Sequence, residues 1–208
     1  MPVSRSLFAS LLLLSAVSAA AGQPKADKVK AKPGAPEKVR VVLRTEKGEI
    51  ELELDARRAP GTVANFLRYV DGGFYAGGVF HRTVKPDNQP NNPVKIEVIQ
   101  GGADPAKEGK GFAPIPLERT QATGLKHQDG TVSMARDAPD TATSDFFICI
   151  GDQPELDFGG KRNPDGQGFG AFGRVTRGMD VVRAIQAAPA DGQRLTPPVR
   201  ILEATRKP

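Results

Sequence analysis

The chain has no tryptophan, two tyrosines, two histidines and a single cysteine, Cys149, among its 208 residues. Each shortage removes a class of explanation. One cysteine cannot close an internal disulfide, so the hydrophobic core has to hold the fold unaided. With His81, His127 and Cys149 as the only soft ligands, neither a structural zinc nor any other metal is expected. The glycine-rich run FGGKRNPDGQGFGAFG, Phe158 to Gly173, lacks the Gly-Lys-Ser/Thr ending of a phosphate loop and reads as a connection between strands. No apolar run reaches the roughly 20 residues that span a bilayer. Positive charge is scarcer than the net +5 suggests. Arg5, together with five lysines set against Asp27 and Glu37 between Gly22 and Lys38, accounts for most of it. Beyond Lys38 there is no dense basic face, which removes the main argument for nucleic acid.

What is present divides the chain into three parts. Arg5, the apolar stretch Leu7 to Val17 and the small residues Ala19-Ala20-Ala21 predict a signal peptide over residues 1–21. Export to a bacterial periplasm follows from that reading. No cysteine follows the small residues, so no stable membrane anchor is expected once the signal is removed. Residues 22–38 are rich in Lys, Ala and Pro and contain too little apolar surface to order themselves, which predicts a flexible tether. Residues 39–208 are long enough for one domain with a proper core, and nothing in them calls for an oligomer; a monomer is expected.

Within that domain, Val39 to Thr45 and Ile50 to Asp55 alternate around Glu46-Lys47-Gly48 and predict a hairpin with one buried face. Pro60 followed by Val63, Phe66, Leu67 and Val70 predicts an amphipathic helix that stops at Gly72-Gly73. Short strands follow at Val79 to Val84, Ile96 to Gln100, Thr131 to Ala135, Phe146 to Ile150, Phe172 to Thr176 and Val199 to Ala204. A second helix is expected over Met179 to Ala187. Many short strands separated by Gly, Pro and Asp point to a sandwich or closed barrel. Phe146 to Ile150 is apolar on both faces, as suits a barrel strand packed inside and covered outside by a helix.

The side chains suited to chemistry are few. Ser133 and Ser144 lie near acidic residues but in no nucleophile-elbow pattern, and a hydrolase built around His127 stands as a third reading. Arg82 on one apolar strand, Gln100 at the end of another and Phe147 on a third, with small residues around Ala135, supply a permanent cation, an amide and an aromatic wall. Those are parts for binding an extended peptide, not for cleaving a bond.

The segments APGTVANFLRYVDGGFYAGGVFHRTV, VIQGG, GTVSMARDAPDTATSDFFICIGDQPELD and FGAFGRVTRGMDVVRAI resemble, in order, the motifs of the cyclophilin-type peptidyl-prolyl cis-trans isomerases. The resemblance runs from about Val39 to Ala204. It implies a mainly β fold, an eight-stranded antiparallel closed barrel capped by two α-helices, and a cofactor-free enzyme that turns X-Pro bonds in proline-containing segments of folding proteins. It makes Arg82 the catalytic residue and Gln100 the clamp on the substrate backbone. Phe147, Leu156 and Val98 become the proline pocket, with Ala135 and Arg136 on the strand that pairs with the residue before proline. Phe169 falls where a pocket-edge histidine is common. His81 is expected under the site, and Cys149 in the core.

Three departures stand out. Glu155 occupies the place of a pocket-edge tryptophan, Glu97 that of a pocket phenylalanine, and Asp145 that of a glutamine, where it would either hold Arg82 or draw it off. They keep open the alternative of a proline-peptide-binding module or chaperone with little turnover, and they predict weak binding of cyclosporin-type ligands. Between Arg82 and Gln100, the Pro- and Asn-rich stretch Lys85 to Lys95 looks like an insertion that bulges from the surface, so that removing it should spare exchange of a short peptide.

Overall fold

The computed structural model describes residues 37–207. The expected signal peptide lies outside them, as does the tether but for its last two residues. In chain order the elements are β1 (Lys38–Thr45), β2 (Gly48–Asp55), α1 (Pro60–Asp71), β3 (Val79–Val84), β4 (Val98–Gly102), α2 (Thr120–Thr123), β5 (Thr131–Met134), β6 (Phe146–Cys149), β7 (Gly170–Arg177), α3 (Met179–Gln186), β8 (Ala190–Asp191) and β9 (Arg194–Lys207). Lys38 already pairs with Asp55 across the first hairpin, so the folded domain takes in the last residue assigned to the tether.

The sheet runs β1-β2-β7-β5-β6-β4-β3-β9 and closes through β1 against β9, every pair antiparallel; β8 is a two-residue spur on β9. This is the expected eight-stranded barrel, and closure leaves none of its strands as an open edge. Alternation along the strands sends one set of side chains inward. Val41, Leu43, Ile50, Leu52, Leu54, Ile99, Val132, Phe146, Ile148 and Phe172 form the interior.

The two long helices close opposite ends. Strands β4 and β6 pair Gly101 with Phe146 at one end and Val98 with Cys149 at the other. Phe66 of α1 packs edge-on against Phe146, with ring centroids 5.4 Å apart, and also meets Tyr75 and Phe172. At the far end, Gln186 of α3 donates to Glu97, one residue before β4, and accepts from Thr83 through its carbonyl. α1 begins with proline in its first turn, where a missing N–H costs nothing. α3 is preceded by Gly178, whose φ of 92° favours glycine and where a methyl group would strike the Glu49 backbone.

Three expectations change. The one-turn helix α2 has no periodic pattern to betray it. β9 extends well beyond Val199 to Ala204 in both directions, despite Pro197 and Pro198. Proline normally breaks a ladder because it lacks a donor, but β3 pairs Phe80 with Val199 and then Arg82 with Arg194, leaving residues 195–198 without a β3 partner. The outer face of β6 is covered not by a helix but by loops. Phe147 and Cys149 cluster there with Val84, Ile96, Val98 and Leu156, while His127 stacks on Phe147.

Candidate active site

Simple alternation from the buried Phe80 would turn Arg82 into the barrel. A β-bulge prevents it: β3 pairs Phe80 with Gly101 and then Arg82 with Gln100, leaving His81 as the extra residue. A bulge re-aims the side chains that follow it, and Arg82 therefore stands on the outer face directly across from Gln100. No signal in the sequence marks the bulge.

Arg82 is fixed by two amides. Its Nη1 donates to Gln100 Oε1 at 3.0 Å, while Nε and Nη2 donate to Gln193 Oε1 at 2.9 and 2.6 Å. A guanidinium has five N–H donors, so two remain after these three bonds. No ion pair neutralises Arg82 among the described residues. Burial lowers its pKa from the ordinary arginine value, yet guanidinium keeps its proton at working pH. Gln193, in the turn between β8 and β9, escaped the sequence reading because a turn glutamine carries no mark of its partner.

The insertion turns out to belong to this arrangement. Gln193 Nε2 donates to the Asn88 carbonyl at 3.0 Å, and Asn88 Nδ2 donates to the carbonyls of Thr83 and Gly192. Gln89 is 2% exposed and donates to the carbonyls of Lys85 and Ile96. Far from bulging outward, residues 86–89 fold back as a tight turn that braces the residue holding Arg82.

Arg82 opens into a cavity of about 430 Å³. All eight residues expected at the site line it: Arg82, Val98, Gln100, Ala135, Arg136, Phe147, Leu156 and Phe169. Along β4 the outward positions are Val98 and Gln100, with Ile96 continuing the apolar floor just before the strand. Phe147 forms one wall, with Phe169 edge-on at 5.3 Å. Arg136 serves this wall rather than the opening. Its side chain is fully buried, stacks 5.1 Å from the Phe169 ring and forks onto Asp165 at 2.8 and 3.0 Å. Ile96, Asn92, Arg162 and Asn163 complete one end and were missed, because each sits in a loop that only the fold brings near.

The three departures resolve individually. Glu97 points away from the cavity and accepts from Gln186 at 3.0 Å, so the position of the expected apolar wall is filled by Ile96. Asp145 does not bind Arg82; its carboxylate accepts from Gln100 Nε2 at 3.4 Å, which sets the amide so that its oxygen faces Arg82. Gly102 lies against it, and a methyl group there would force the Asp145 carboxylate to shift. Glu155 lies outside the cavity lining and anchors the next loop by accepting from the Lys161 N–H at 2.7 Å.

Comparison with known proteins decides the family. The model of the cyclophilin type peptidyl-prolyl cis-trans isomerases matches residues 40–206. The chain belongs to that family. It is 38% identical over 155 residues to a peptidyl-prolyl cis-trans isomerase of Streptomyces antibioticus, covering 74% of this chain and 87% of the relative. It is 37% identical over 147 residues to peptidyl-prolyl cis-trans isomerase B of Escherichia coli, covering 70% and 83%. A cyclophilin-type isomerase of Cryptosporidium parvum, solved in the presence of the dipeptide Ala-Pro, superposes with a TM-score of 0.65 at 25% identity, over 81% of this chain and 99% of that one. The protein is thus a cyclophilin-type peptidyl-prolyl cis-trans isomerase.

This cyclophilin also contains a set that looks hydrolytic. His127 Nε2 lies 3.0 Å from Ser133 Oγ, and Nδ1 lies 2.8 Å from Asp157 Oδ1. Ser133 is 0% exposed and Phe147 stacks over the imidazole at 5.9 Å, so no substrate carbonyl can reach the hydroxyl. Burial lowers the His127 pKa even though Asp157 pulls the other way. The set is a buried support beneath the Phe147 wall, with its imidazole neutral and Asp157 ionised. Burial pushes the Cys149 thiol far up and leaves it inert. Among the described residues no cluster of His, Cys, Asp and Glu could hold a metal ion.

Proposed function

We propose that the cavity takes the proline ring of an X-Pro segment against Phe147, Leu156, Val98 and Phe169, with Arg82 as the catalytic donor and Gln100 clamping the substrate backbone. Peptide-bond rotation is slow because resonance must be lost, at about 18–20 kcal/mol. As the bond twists, the prolyl nitrogen becomes pyramidal and gains a lone pair. A donor aimed at that nitrogen binds the twisted state more tightly than either planar isomer, which is the condition for catalysis. An acceleration of about ten-thousandfold needs roughly 5.5 kcal/mol of such differential binding. The observation that carries this reading is the state of Arg82: charged, locked by Gln100 and Gln193, and, among the described residues, unpaired with any carboxylate and left with two free donors at the cavity. Ala135 and Arg136 pass the residue before proline, and no cofactor takes part. The departures that favoured a mere binding module lose their force, since Glu97 and Glu155 point elsewhere and Asp145 orients Gln100.

The biological setting is an exported, monomeric enzyme acting on folding proteins in a bacterial periplasm, supported by the leader-like pattern of residues 1–21. Two measurements test the proposal. Exchange of a short Ala-Pro peptide should be accelerated by wild type and lose most of that acceleration with Arg82→Ala; binding of the peptide without acceleration by wild type would favour the binding module. Fractionation of a bacterium expressing the full chain should recover a product that begins near Gly22 outside the cytoplasm, and an uncleaved cytoplasmic product would refute export.

A further inference from the structure

The groove carries opposite charges at its two ends. Along the outer side of β4 and the extended residues just before it the order is Ile96, Val98, Gln100 and Gly102, which spans about 20 Å at the rise of a strand. Asp145 packs over Gly102 at one end. At the other, Arg162 joins Asn92 and Ile96 in the cavity wall.

Arg162 is placed with unusual care for a loop residue. Its Nη1 donates to Gln89 Oε1 and to the Val94 carbonyl, both at 2.7 Å, and its backbone N–H donates to the Glu155 carbonyl at 3.1 Å. Gln89 is itself buried and tied to Ile96. Both partners of Nη1 are neutral, and they come from the inserted loop. No carboxylate pairs with Arg162 among the described residues, and its Nε and Nη2 donors have no acceptor there. Burial and the neighbouring charge of Arg82 lower its pKa, as expected of a guanidinium that lacks a counter-ion.

We infer that Arg162 is a carboxylate-binding subsite that favours substrates with an acidic side chain just after the proline. The inference rests on the groove reading above, in which the residue before proline lies by Ala135 and Gln100. The chain beyond the ring then leaves along Val98 and Ile96 toward Arg162. A planar fork of spare N–H donors matches a carboxylate in shape as well as charge. The Asp145 end disfavours the same side chain placed before the proline.

The test compares exchange of Ala-Pro-Glu, Ala-Pro-Gln and Glu-Pro-Ala peptides. A half-exposed charge pair is worth about fivefold in affinity, so Ala-Pro-Glu should show kcat/KM about fivefold above Ala-Pro-Gln, carried by KM. Added salt should erase the difference, and Glu-Pro-Ala should gain nothing. In Arg162→Gln, which keeps an amide donor for the loop, the ratio should fall to near one; Arg162→Glu should reverse it in favour of Ala-Pro-Lys. Equal rates for Ala-Pro-Glu and Ala-Pro-Gln with wild type, or a ratio that survives in Arg162→Gln, overturn the subsite alone. Exchange left at the solvent rate with every peptide overturns the groove reading and the subsite with it.

Discussion

Replacing Gln193 by alanine removes the single oxygen that accepts from both Nε and Nη2 of Arg82, and leaves the guanidinium with only its 3.0 Å bond to Gln100. Hydrogen bonds to a charged group contribute about 1.5–3 kcal/mol each, but Arg82 is only partly buried and water can replace part of the loss. A net destabilisation of about 1–2 kcal/mol is expected on that basis. The Asn88 carbonyl also loses its donor, which loosens the turn behind the site. The larger effect falls on rate, since a reacting group displaced by about 1 Å can cost about 100-fold. Gln193 does not line the cavity, so the loss should appear in kcat, by about 10- to 100-fold. Exchange of an Ala-Pro peptide followed by NMR gives the rate, and thermal unfolding confirms that the variant is folded. Gln193→Glu keeps the acceptor but pairs Arg82 with a carboxylate and loses the donor to the Asn88 carbonyl, so it should not restore the wild-type kcat. A folded Gln193→Ala with kcat within about twofold of wild type would show that Arg82 needs no such support.

Two further outcomes follow. Deleting Pro86 to Pro93 removes both Asn88 and Gln89, and so undoes the support of Gln193 and Arg162 together. Exchange of a short peptide should fall about tenfold or more, in contrast to the expectation from sequence, and an unchanged rate in a folded deletion would mean that the loop is only a surface feature. The second concerns acid stability. Burial lowers the His127 pKa below its ordinary 6.5, so the unfolded chain takes up that proton first as pH falls. The contribution is complete above the ordinary value and is lost as pH drops through the lowered one. For Asp157, burial raises the pKa, but the His127 contacts outweigh it and hold the carboxyl below 3.8, which adds a loss of stability in stronger acid. The urea midpoint should be lower at about pH 5.5 than at about pH 7.5, and an equal or higher midpoint would contradict the buried neutral imidazole.

Much of the barrel was legible because its strands obey a period of two. Ile50, Leu52 and Leu54 face inward by alternation alone, and α1 declares itself through Val63, Phe66, Leu67 and Val70. The eight residues to which the family motifs point all line one cavity. What failed to show lay where the chain departs from regular pairing. The bulge at His81 turns Arg82 outward against its own alternation. Gln193, Asn88 and Arg162 act through contacts across long sequence separations, and each lies in a turn or loop whose composition describes the turn and not its partner. Glu97 was misplaced for a related reason: the motif suggested a pocket position, whereas in the loop just before β4 Glu97 turns to Gln186 and Ile96 lies in the cavity wall.

The central claim is that Arg82 stabilises the twisted peptide bond more than the planar one. The direct test measures, for one Ala-Pro peptide, both the dissociation constant and the exchange rate at saturation in wild type and Arg82→Ala. Loss of a donor used mainly in the transition state should lower the saturated rate by about 100- to 1,000-fold while changing the dissociation constant by no more than about threefold. A dissociation constant that weakens in step with the catalytic efficiency, with the saturated rate unchanged, would show that Arg82 binds both states alike and contradict the account.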